Sequence, residues 1–460
     1  MYAWNPSWLA ERLNPDVWSA ECNSLLTALD RHSVRWSLCV QLTAEELASD
    51  IRALIDVDAH FERLQSLIDL THLMNVTVDV AVQEELDTLA HRLLDRSEPL
   101  IAYVQSLPSS TVQQPSLKNF APWIASMRPP PIVVPETVKE TLRQIGSNYY
   151  RAQSSLGRQD SQDTVSAEQS AEWLKRRVAV DRHPSNQPWS YQLRCWENDL
   201  PVAPVQQGAD YTDAHDYFLE LMRHMGKNRA TLQECRHWES ERINQYVVTA
   251  DDALTWCLMV AERANRHGAQ VIKNLLQEQR LQLTSDENTI PLCIDTPYGS
   301  FVQVSFDGSI YSLMSLVHEL GHALHHADHR ANDGAPIPLS PLECERHAIG
   351  FERRFIAEML QESIPAPLRS ALTYYQRYQA IELGLRHAML HAFESDLYRL
   401  PQVSRAHIAS LWMQHNRSFY GPSVELNDTF ENDWCDVQHL FIAPFYLQLY
   451  AQVMGEMHAQ

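Results

Sequence analysis

Apolar residues in the first hundred positions recur near the 3.6-residue period of an α-helix. Thr43 and Glu46 precede the first stripe with the spacing of a capping box at a helix N-terminus. Pro99 lies in the second stripe, where it predicts a kink or an end. The two stripes predict long helices, and they consist of Leu47, Ile51, Leu54, Phe61, Leu64 and Ile68, and of Leu86, Leu89, Leu93 and Leu100.

The period of the pattern changes between residues 301 and 326. From Phe301 to Phe306 apolar and polar residues alternate, which predicts a β-strand. Asp307-Gly308 then supplies a turn, and the 3.6-residue period returns from Ser309 to His326. The sequence therefore predicts a strand, a turn and an amphipathic helix in succession.

Proline and polar residues interrupt the helical pattern in the middle of the chain. Seven prolines lie from Pro108 to Pro135, a density that no helix accommodates. A short helical pattern covers Val138 to Ala152, and the polar stretch from Gln153 to Tyr211 predicts mostly loops. The proline-free interval that follows, up to Pro291, predicts two or three long helices.

Charge and glycine content exclude several classes of function. The 460 residues include 37 basic and 58 acidic ones, for a net charge of -21, and no run rich in Lys and Arg. Nucleic acid and membrane surfaces are therefore not expected as partners. The 13 glycines form none of the motifs of dinucleotide-binding folds, P-loop proteins or serine hydrolases, whereas the 21 histidines offer metal ligands.

Cysteine usage and the termini favour a cytoplasmic protein. The eight cysteines form no C-x-x-C pair, so reduced thiols are expected. The first fifteen residues have no apolar core of a signal peptide. The run from Val437 to Gly455 contains no Asp, Glu, Lys or Arg, but its glutamines and Pro444 predict a buried helix rather than a membrane span.

The predicted helix after the turn carries His318-Glu319-Leu320-Gly321-His322, an H-E-x-x-H motif. Residues four apart on a helix lie about 40° apart in azimuth, so both imidazoles can reach one metal ion. The Glu after the first His can then hold a metal-bound water. His322 with His326, and His325 with His329, are competing pairs, but neither has a Glu after its first His.

A hydrolytic zinc site takes three protein ligands, so a third ligand is required. Glu343 and Glu345 are both candidates, and on a helix they point about 200° apart, so only one of them can face the metal. Glu345 is favoured because Glu352, seven residues later on the same stripe, can orient a ligand histidine. Glu343 stays open as the alternative.

Three further polar residues are candidates near the C-terminus. His439, Tyr446 and Tyr450 have the spacing of one helical face, although Pro444 bends any helix there. Imidazole and hydroxyl donors are what a metallopeptidase needs to stabilise the oxyanion formed during peptide hydrolysis. A core helix with a buried histidine gives the same pattern.

Several segments together resemble the oligoendopeptidase F branch of the thimet-oligopeptidase-like zinc metallopeptidases. The stretch from Tyr298 to His325 is similar to that family's strand, turn and active helix, and Glu345 and Glu352 match its pattern of two glutamates. The segment from Phe419 to Ala451 resembles its C-terminal signature, except that Gln448 stands where the family commonly has Tyr.

The resemblance implies a mostly α, two-lobed helical fold with a deep substrate channel and a small β-sheet beside the active helix. Phe301 to Phe306 would be the edge strand that pairs with the backbone of an oligopeptide substrate. It also implies one Zn2+ per chain, held by His318, His322 and Glu345, with Glu319 as general base. His439, Tyr446 and Tyr450 are then the oxyanion donors.

Three regions are predicted: an N-terminal helical lobe over residues 1–110, a Pro-rich and polar connecting region over 111–210, and a helical catalytic region with the zinc site over 211–460. The connecting region replaces part of the lobe that covers the cleft in the family. Two other functions stay open, a metallocarboxypeptidase of the carboxypeptidase Taq type and a non-catalytic peptide-binding protein. The natural peptide, the choice between internal and terminal cleavage, and the oligomeric state are also open.

Overall fold

The protein is described from a computed structural model that covers residues 2–36, 42–74, 76, 78–121, 124, 167–182, 211–264, 266–287, 289–331 and 341–458. These residues form many helices and a few short strands. The mostly α fold with a small sheet, predicted from the sequence, is confirmed. The two lobes, the channel and the three predicted regions stay predictions.

The chain up to residue 305 contains most of the strands. Its helices are α1 Pro6–Arg12, α2 Pro15–Trp36, α3 Ala44–Met74, α4 Val80–Ser106, α5 Ser109–Val112, α6 Pro115–Lys118, α7 Ala167–Arg182, α8 Thr212–Met225, α9 Leu232–Ile243, α10 Ala250–Ala264 and α11 Arg266–Gln277. Its strands are β1 Ala230–Thr231, β2 Leu281–Thr284, β3 Leu292–Ile294 and β4 Phe301–Ser305.

The chain after residue 305 is almost entirely helical. Its helices are α12 Ile310–Ala331, α13 Pro341–Gln361, α14 Ala366–Gln379, α15 His387–Arg399, α16 Arg405–Tyr420, α17 His439–Ile442 and α18 Leu447–His458. A π-helical stretch, Ala380–Arg386, joins α14 to α15, a 3₁₀ stretch covers Asp428–Asp436, and β5 is Val424–Glu425.

The chain divides into two compact units. The first consists of residues 1–131, 250–307 and 314–340, and its core is formed mainly by the apolar stripes of the N-terminal helices. The second consists of residues 132–249, 308–313 and 341–460, and an aromatic-rich core holds its helices together. Each unit therefore combines segments that are far apart in the sequence.

The helix signals of the first unit act as the sequence predicts. Thr43 and Glu46 form the reciprocal capping box: the Glu46 carboxylate accepts from the Thr43 N–H at 2.9 Å, and the Thr43 hydroxyl accepts from the Glu46 N–H at 3.3 Å. α4 continues through Pro99 instead of ending there. Pro99 is exposed, so water can satisfy the carbonyl that loses its helical partner.

The small sheet confirms the predicted strand and corrects its predicted position. β4 covers Phe301–Ser305, and the turn after it uses Gly308 at a φ of 84°. However, β4 is the central strand, parallel to β2 and antiparallel to β3. The prediction of an edge strand at 301–306 was wrong, because hydrogen bonds to β2 and β3 occupy both sides of its backbone.

Two other sequence predictions concern the middle of the chain. The stretch predicted as loops contains α7, whose buried residues Ala171, Leu174 and Val178 follow a helical period. That part of the prediction was wrong, because the many Gln and Ser residues around this stripe obscured it. The helix predicted at 138–152 and five of the seven prolines of the proline-rich stretch lie outside the described residues.

Among the described residues, none of the helices combines the length and the apolar character that a membrane crossing requires. The C-terminal uncharged run instead forms two helices, α17 and α18, with a break at Pro444. Cys22, Cys235, Cys257, Cys293, Cys344 and Cys435 are free thiols, as expected from the absence of C-x-x-C pairs.

Trp4 joins the N-terminal segment to the sheet of the first unit. Its indole N–H lies 3.1 Å from the Arg280 carbonyl and 3.0 Å from the Val302 carbonyl, and its ring meets Phe301 edge to face. The side chain is 5% exposed. One residue therefore anchors the chain start to β4 and to the residue before β2.

We predict that Trp4→Ala lowers the free energy of unfolding by about 3–5 kcal/mol, because it leaves a cavity and two carbonyls without their donor. Trp4→Phe keeps the ring packing and is expected to cost about 1–2 kcal/mol. Urea unfolding followed by circular dichroism measures both. Leu94→Ala, at a residue that is 67% exposed, is the control. If Trp4→Phe and Trp4→Ala had the same free energy of unfolding, the packing of the ring would make no separate contribution to stability, contrary to this prediction.

A pH dependence follows from the buried histidine of α15. Burial lowers the pKa of His391 from its usual 6.5 to about 4. Its contribution to stability is therefore complete above pH 6.5 and is lost as the pH falls toward 4, when the unfolded chain takes up the proton first. We predict that His391→Phe flattens the fall in unfolding free energy between pH 7 and 4 by up to about 3 kcal/mol. His237→Gln, at an exposed histidine, should leave that slope unchanged.

Candidate metal centre

The two motif histidines converge on one face of α12. The Nε2 atoms of His318 and His322 are 3.1 Å apart, and the two rings stand nearly perpendicular, at 86°. Two nitrogens on a tetrahedral zinc ion with bonds of about 2.0–2.1 Å are about 3.3 Å apart. The spacing of the two imidazoles therefore fits ligands of a single ion.

The histidines that follow on α12 have other surroundings. The His326 Nδ1 lies 3.5 Å from the Ser300 hydroxyl and 3.9 Å from the Cys293 thiol, and burial lowers the pKa of this imidazole. These two neighbours belong to the loop before β4 and to β3. His326 thus packs against the sheet. It is therefore a weaker candidate than His318 for binding the same metal ion as His322.

The two candidate glutamates on α13 differ sharply in their surroundings. Glu345 is 2% exposed, and its Oε1 accepts a hydrogen bond of 2.7 Å from the Tyr446 hydroxyl. Glu343 forms an ion pair with Arg346 near the surface, and its side chain is 46% exposed. A buried carboxylate is the more suitable third ligand, because a cation there would offset the cost of its burial.

His318, His322 and Glu345 form a group of three potential metal ligands, in which one donor atom of each lies within 4.8 Å of the others. The set of two imidazoles and one carboxylate is typical of hydrolytic zinc sites with an open fourth position. A His-His-Glu cluster that can bind a metal is therefore present.

Glu352 is buried on the same stripe of α13 as Glu345. It is 3% exposed, and its carboxylate accepts a hydrogen bond from the Gln379 amide on α14. The predicted role of Glu352 in orienting a ligand histidine stays a prediction.

The C-terminal candidates do not lie on one continuous helix. α17 ends at Ile442, α18 begins at Leu447, and Phe445 between them has a φ of 65°. The Glu394 carboxylate, which is fully buried, accepts a hydrogen bond of 3.0 Å from the Phe445 N–H. This bond holds the left-handed turn from which the Tyr446 phenol extends to Glu345.

The break nevertheless keeps the three candidate donors together. The Tyr446 ring stacks on His439 at 5.5 Å and meets Tyr450 at 5.8 Å. Burial lowers the pKa of His439, an effect that the nearby charge of Glu345 partly offsets. Burial thus favours the neutral imidazole of His439, which still has one N–H to donate.

Comparisons with known proteins were made for the whole chain. No family model matches the sequence. Over 157 residues it is 24% identical to oligoendopeptidase F (chromosomal) of Lactococcus lactis subsp. cremoris, a match that covers 33% of this chain and 26% of that relative. The match thus spans about a quarter of the relative's length.

Solved structures give a broader match. A Chlamydophila abortus protein assigned as a peptidase superimposes with a TM-score of 0.59 at 15% identity, covering 98% of this chain and 86% of that one. PZ peptidase A with an inhibitor gives 0.56 at 15%, covering 95% and 86%. A Bacillus anthracis protein assigned as an oligoendopeptidase F gives 0.51 at 13%, covering 96% and 85%. At such identities these matches show the fold alone.

The chain is similar to oligoendopeptidase F. The resemblance that its motifs predict is thereby confirmed. The oligoendopeptidase F-like fold extends over nearly the whole chain, whereas the sequence match covers a third of it.

The sequence pattern did not identify one buried residue that supports the site. Glu394 lies between Leu390 and Leu397 on a buried stripe of α15, where an aliphatic residue is expected. An acidic residue at such a position signals a buried partner, but the sequence does not say that the partner is the Phe445 N–H.

We predict that Glu345→Ala weakens zinc binding at least about tenfold, since even the loss of an outer-shell partner typically has that effect. Glu343→Ala should bind zinc like the wild type, because Glu343 pairs with Arg346 instead. Competition with a chromophoric chelator measures both affinities. Loss of zinc from Glu343→Ala alone would mean that the third ligand is Glu343.

Proposed function

We propose that this chain is a zinc-dependent peptidase that hydrolyses peptide bonds in short, unfolded oligopeptides. The observation that carries the proposal is the grouping of His318, His322 and Glu345 next to the general-base candidate of the H-E-x-x-H motif. The resemblance to oligoendopeptidase F supports peptides as the substrate class.

His318, His322 and Glu345 would hold the zinc ion, each through one donor atom. A zinc ion supplies Lewis acidity, which polarises a carbonyl and makes water a stronger acid. The buried hydrogen bond from Tyr446 keeps the Glu345 carboxylate in one orientation. The ligands are thus positioned before a substrate arrives, which lowers the reorganisation that the reaction requires.

Glu319 would act as general base. It follows the first ligand histidine directly and is 7% exposed. Its carboxylate would accept a proton from the attacking water and pass it to the nitrogen of the departing amine. A carboxylate is suited to both steps because it can hold the proton between them.

His439, Tyr446 and Tyr450 would donate to the negative charge that develops on the carbonyl oxygen. Tyr446 has one O–H, so it would have to transfer this donor from Glu345 to that oxygen during the reaction. The Tyr446 ring contacts the rings of both His439 and Tyr450, and the left-handed turn at Phe445 determines where the Tyr446 hydroxyl points. Loss of one such donor typically lowers the rate about a hundredfold or more.

The backbone of the substrate would bind at an edge of the sheet other than β4. The outer side of β2 is partly covered, because the Leu283 N–H donates to the Tyr2 carbonyl at 3.0 Å. β3 has β4 as its only strand partner among the described residues. We therefore place sequence-tolerant backbone pairing at β3.

The decisive variant is Glu319→Gln, which is expected to bind zinc like the wild type and to lose peptidase activity at least about a hundredfold, because the proton acceptor is gone. Turnover is measured with an internally quenched fluorescent peptide that is blocked at both termini. Glu343→Gln removes a nearby glutamate outside the proposed site and should retain activity. Full activity of Glu319→Gln would exclude this residue as the base.

The cleavage products of this blocked peptide, and of the same peptide without its blocking groups, distinguish the remaining functions. Two internal fragments, identified by mass spectrometry, are expected from an oligoendopeptidase. Loss of only the last residue from an unblocked peptide would indicate a metallocarboxypeptidase. Binding of the peptide to zinc-loaded wild type without any product would indicate a non-catalytic peptide-binding protein.

A further inference from the structure

A cavity of about 440 Å³ lies in the first unit, among α11, the loop at residues 297–300 and the last turn of α12. Val271 and Leu275 of α11 and Ala327 of α12 give it an apolar wall. Its charged lining consists of the guanidinium groups of Arg280 and Arg330 and the carboxylate of Glu278. Its volume is in the range of sites for small molecules, and it combines an apolar surface with a few polar groups as such sites do.

Arg280 is held in this cavity by the surrounding backbone. Its Nη1 donates to the Ser300 carbonyl at 2.6 Å, its Nε donates to Glu278 at 3.1 Å, and the residue is 6% exposed. A guanidinium carries five N–H groups, so donors on Nη2 stay without a partner among the described residues. These donors can form hydrogen bonds with an acceptor that enters the cavity.

Gly299 makes room for that guanidinium. Its φ is 111°, and a Cβ at this position would collide with the Arg280 Nη1. Both the backbone conformation and the close approach require glycine. The loop is therefore shaped around Arg280, which indicates a built site rather than a chance surface depression.

Arg330 places a second positive charge on the cavity. It pairs with Asp295, one acceptor for a group with five N–H donors. Burial lowers the pKa of Arg280, the carboxylates of Glu278 and Asp295 raise it, and the charge of Arg330 lowers it. Each guanidinium thus has one acidic partner and still has N–H donors that a further acceptor in the cavity could use.

We propose that this cavity binds a carboxylate attached to an apolar group, with Arg280 and Arg330 as its donors. Guanidinium groups match carboxylates through paired, charge-assisted hydrogen bonds, and the wall formed by Val271 and Leu275 suits the apolar part. Resting on the function proposed above, the ligand is the C-terminal residue of an oligopeptide. A free N-acylated amino acid offers the same chemistry.

The position of Arg330 on α12 sets a minimum length for such a peptide. It lies eight residues after His322, which corresponds to about 12 Å along the helix axis and about 80° around it. An extended chain covers about 3.3 Å per residue, so about four residues span the axial distance alone. Peptides with a free carboxyl end about four or more residues beyond the cleaved bond are therefore the preferred ligands.

The experiment measures binding rather than turnover. The full chain carrying Glu319→Gln is titrated against a fluorescent, N-terminally blocked peptide that ends in leucine, as the free acid and as the carboxamide. Fluorescence anisotropy gives both dissociation constants. The acid is expected to bind at least about tenfold more tightly than the amide, as charge-assisted hydrogen bonds predict.

Two variants test the cavity in different ways. Arg330→Gln should bring the ratio of acid to amide affinity close to one, and Val271→Trp should weaken binding of the acid by filling the space. Arg399→Gln is the matched control, because Arg399 also pairs with an aspartate, Asp396, but lies on the second unit. It should leave both affinities unchanged.

The outcomes separate the sources of the ligand. N-acetyl-leucine that competes as strongly as the peptide supports the site and makes a small acid its ligand, whereas weak competition supports the peptide end. Equal binding of acid and amide, or a ratio unaffected by Arg330→Gln, overturns the proposal. Stronger displacement by inorganic phosphate than by N-acetyl-leucine also overturns it. If the acid peptide binds more tightly than the amide but the wild type hydrolyses no peptide, only the proposed peptidase function is contradicted.

Discussion

A carboxylate removed from water is unstable unless other groups replace the lost hydration, and this constraint governs the candidate centre. Glu345 is almost completely buried and accepts the hydroxyl of Tyr446, a residue 101 positions later. The bond therefore forms only when α13 and the C-terminal segment have both reached their places. A metal-binding role explains why an acidic residue occupies this position, since a cation is the strongest compensation that a buried carboxylate can have.

A second buried carboxylate stabilises the backbone next to Tyr446. Glu394 is also buried, and it serves the backbone by accepting the Phe445 N–H. A non-glycine residue at a positive φ is costly, so the turn needs such support. The strained turn interrupts what the sequence presents as one uncharged helix, and in doing so it brings Tyr446 to Glu345. Buried acids thus organise this region in succession, one through a side chain and one through the backbone.

Local signals were predictable from the sequence, and distant partners were not. The capping box at Thr43, the strand at 301–305 and the helix with both histidines follow from spacing within a few residues. The central place of β4 was missed because its neighbours β2 and β3 are short and give weak patterns. The choice between Glu343 and Glu345 rested on Glu352, whereas the structure distinguishes them by burial and by Tyr446. Such information lies in tertiary contacts, which a periodic pattern does not contain.

The indole of Trp4 that bridges Arg280 and Val302 has a consequence for the order of biosynthesis. A ribosome that has made the first 131 residues must add the whole interval up to residue 250 before the rest of the first unit begins to appear. At about 5–20 residues per second, that delay is on the order of ten seconds. During this time the N-terminal helices expose apolar surface that the sheet later covers. The N-terminal helices can therefore complete their core only after the sheet has been synthesised.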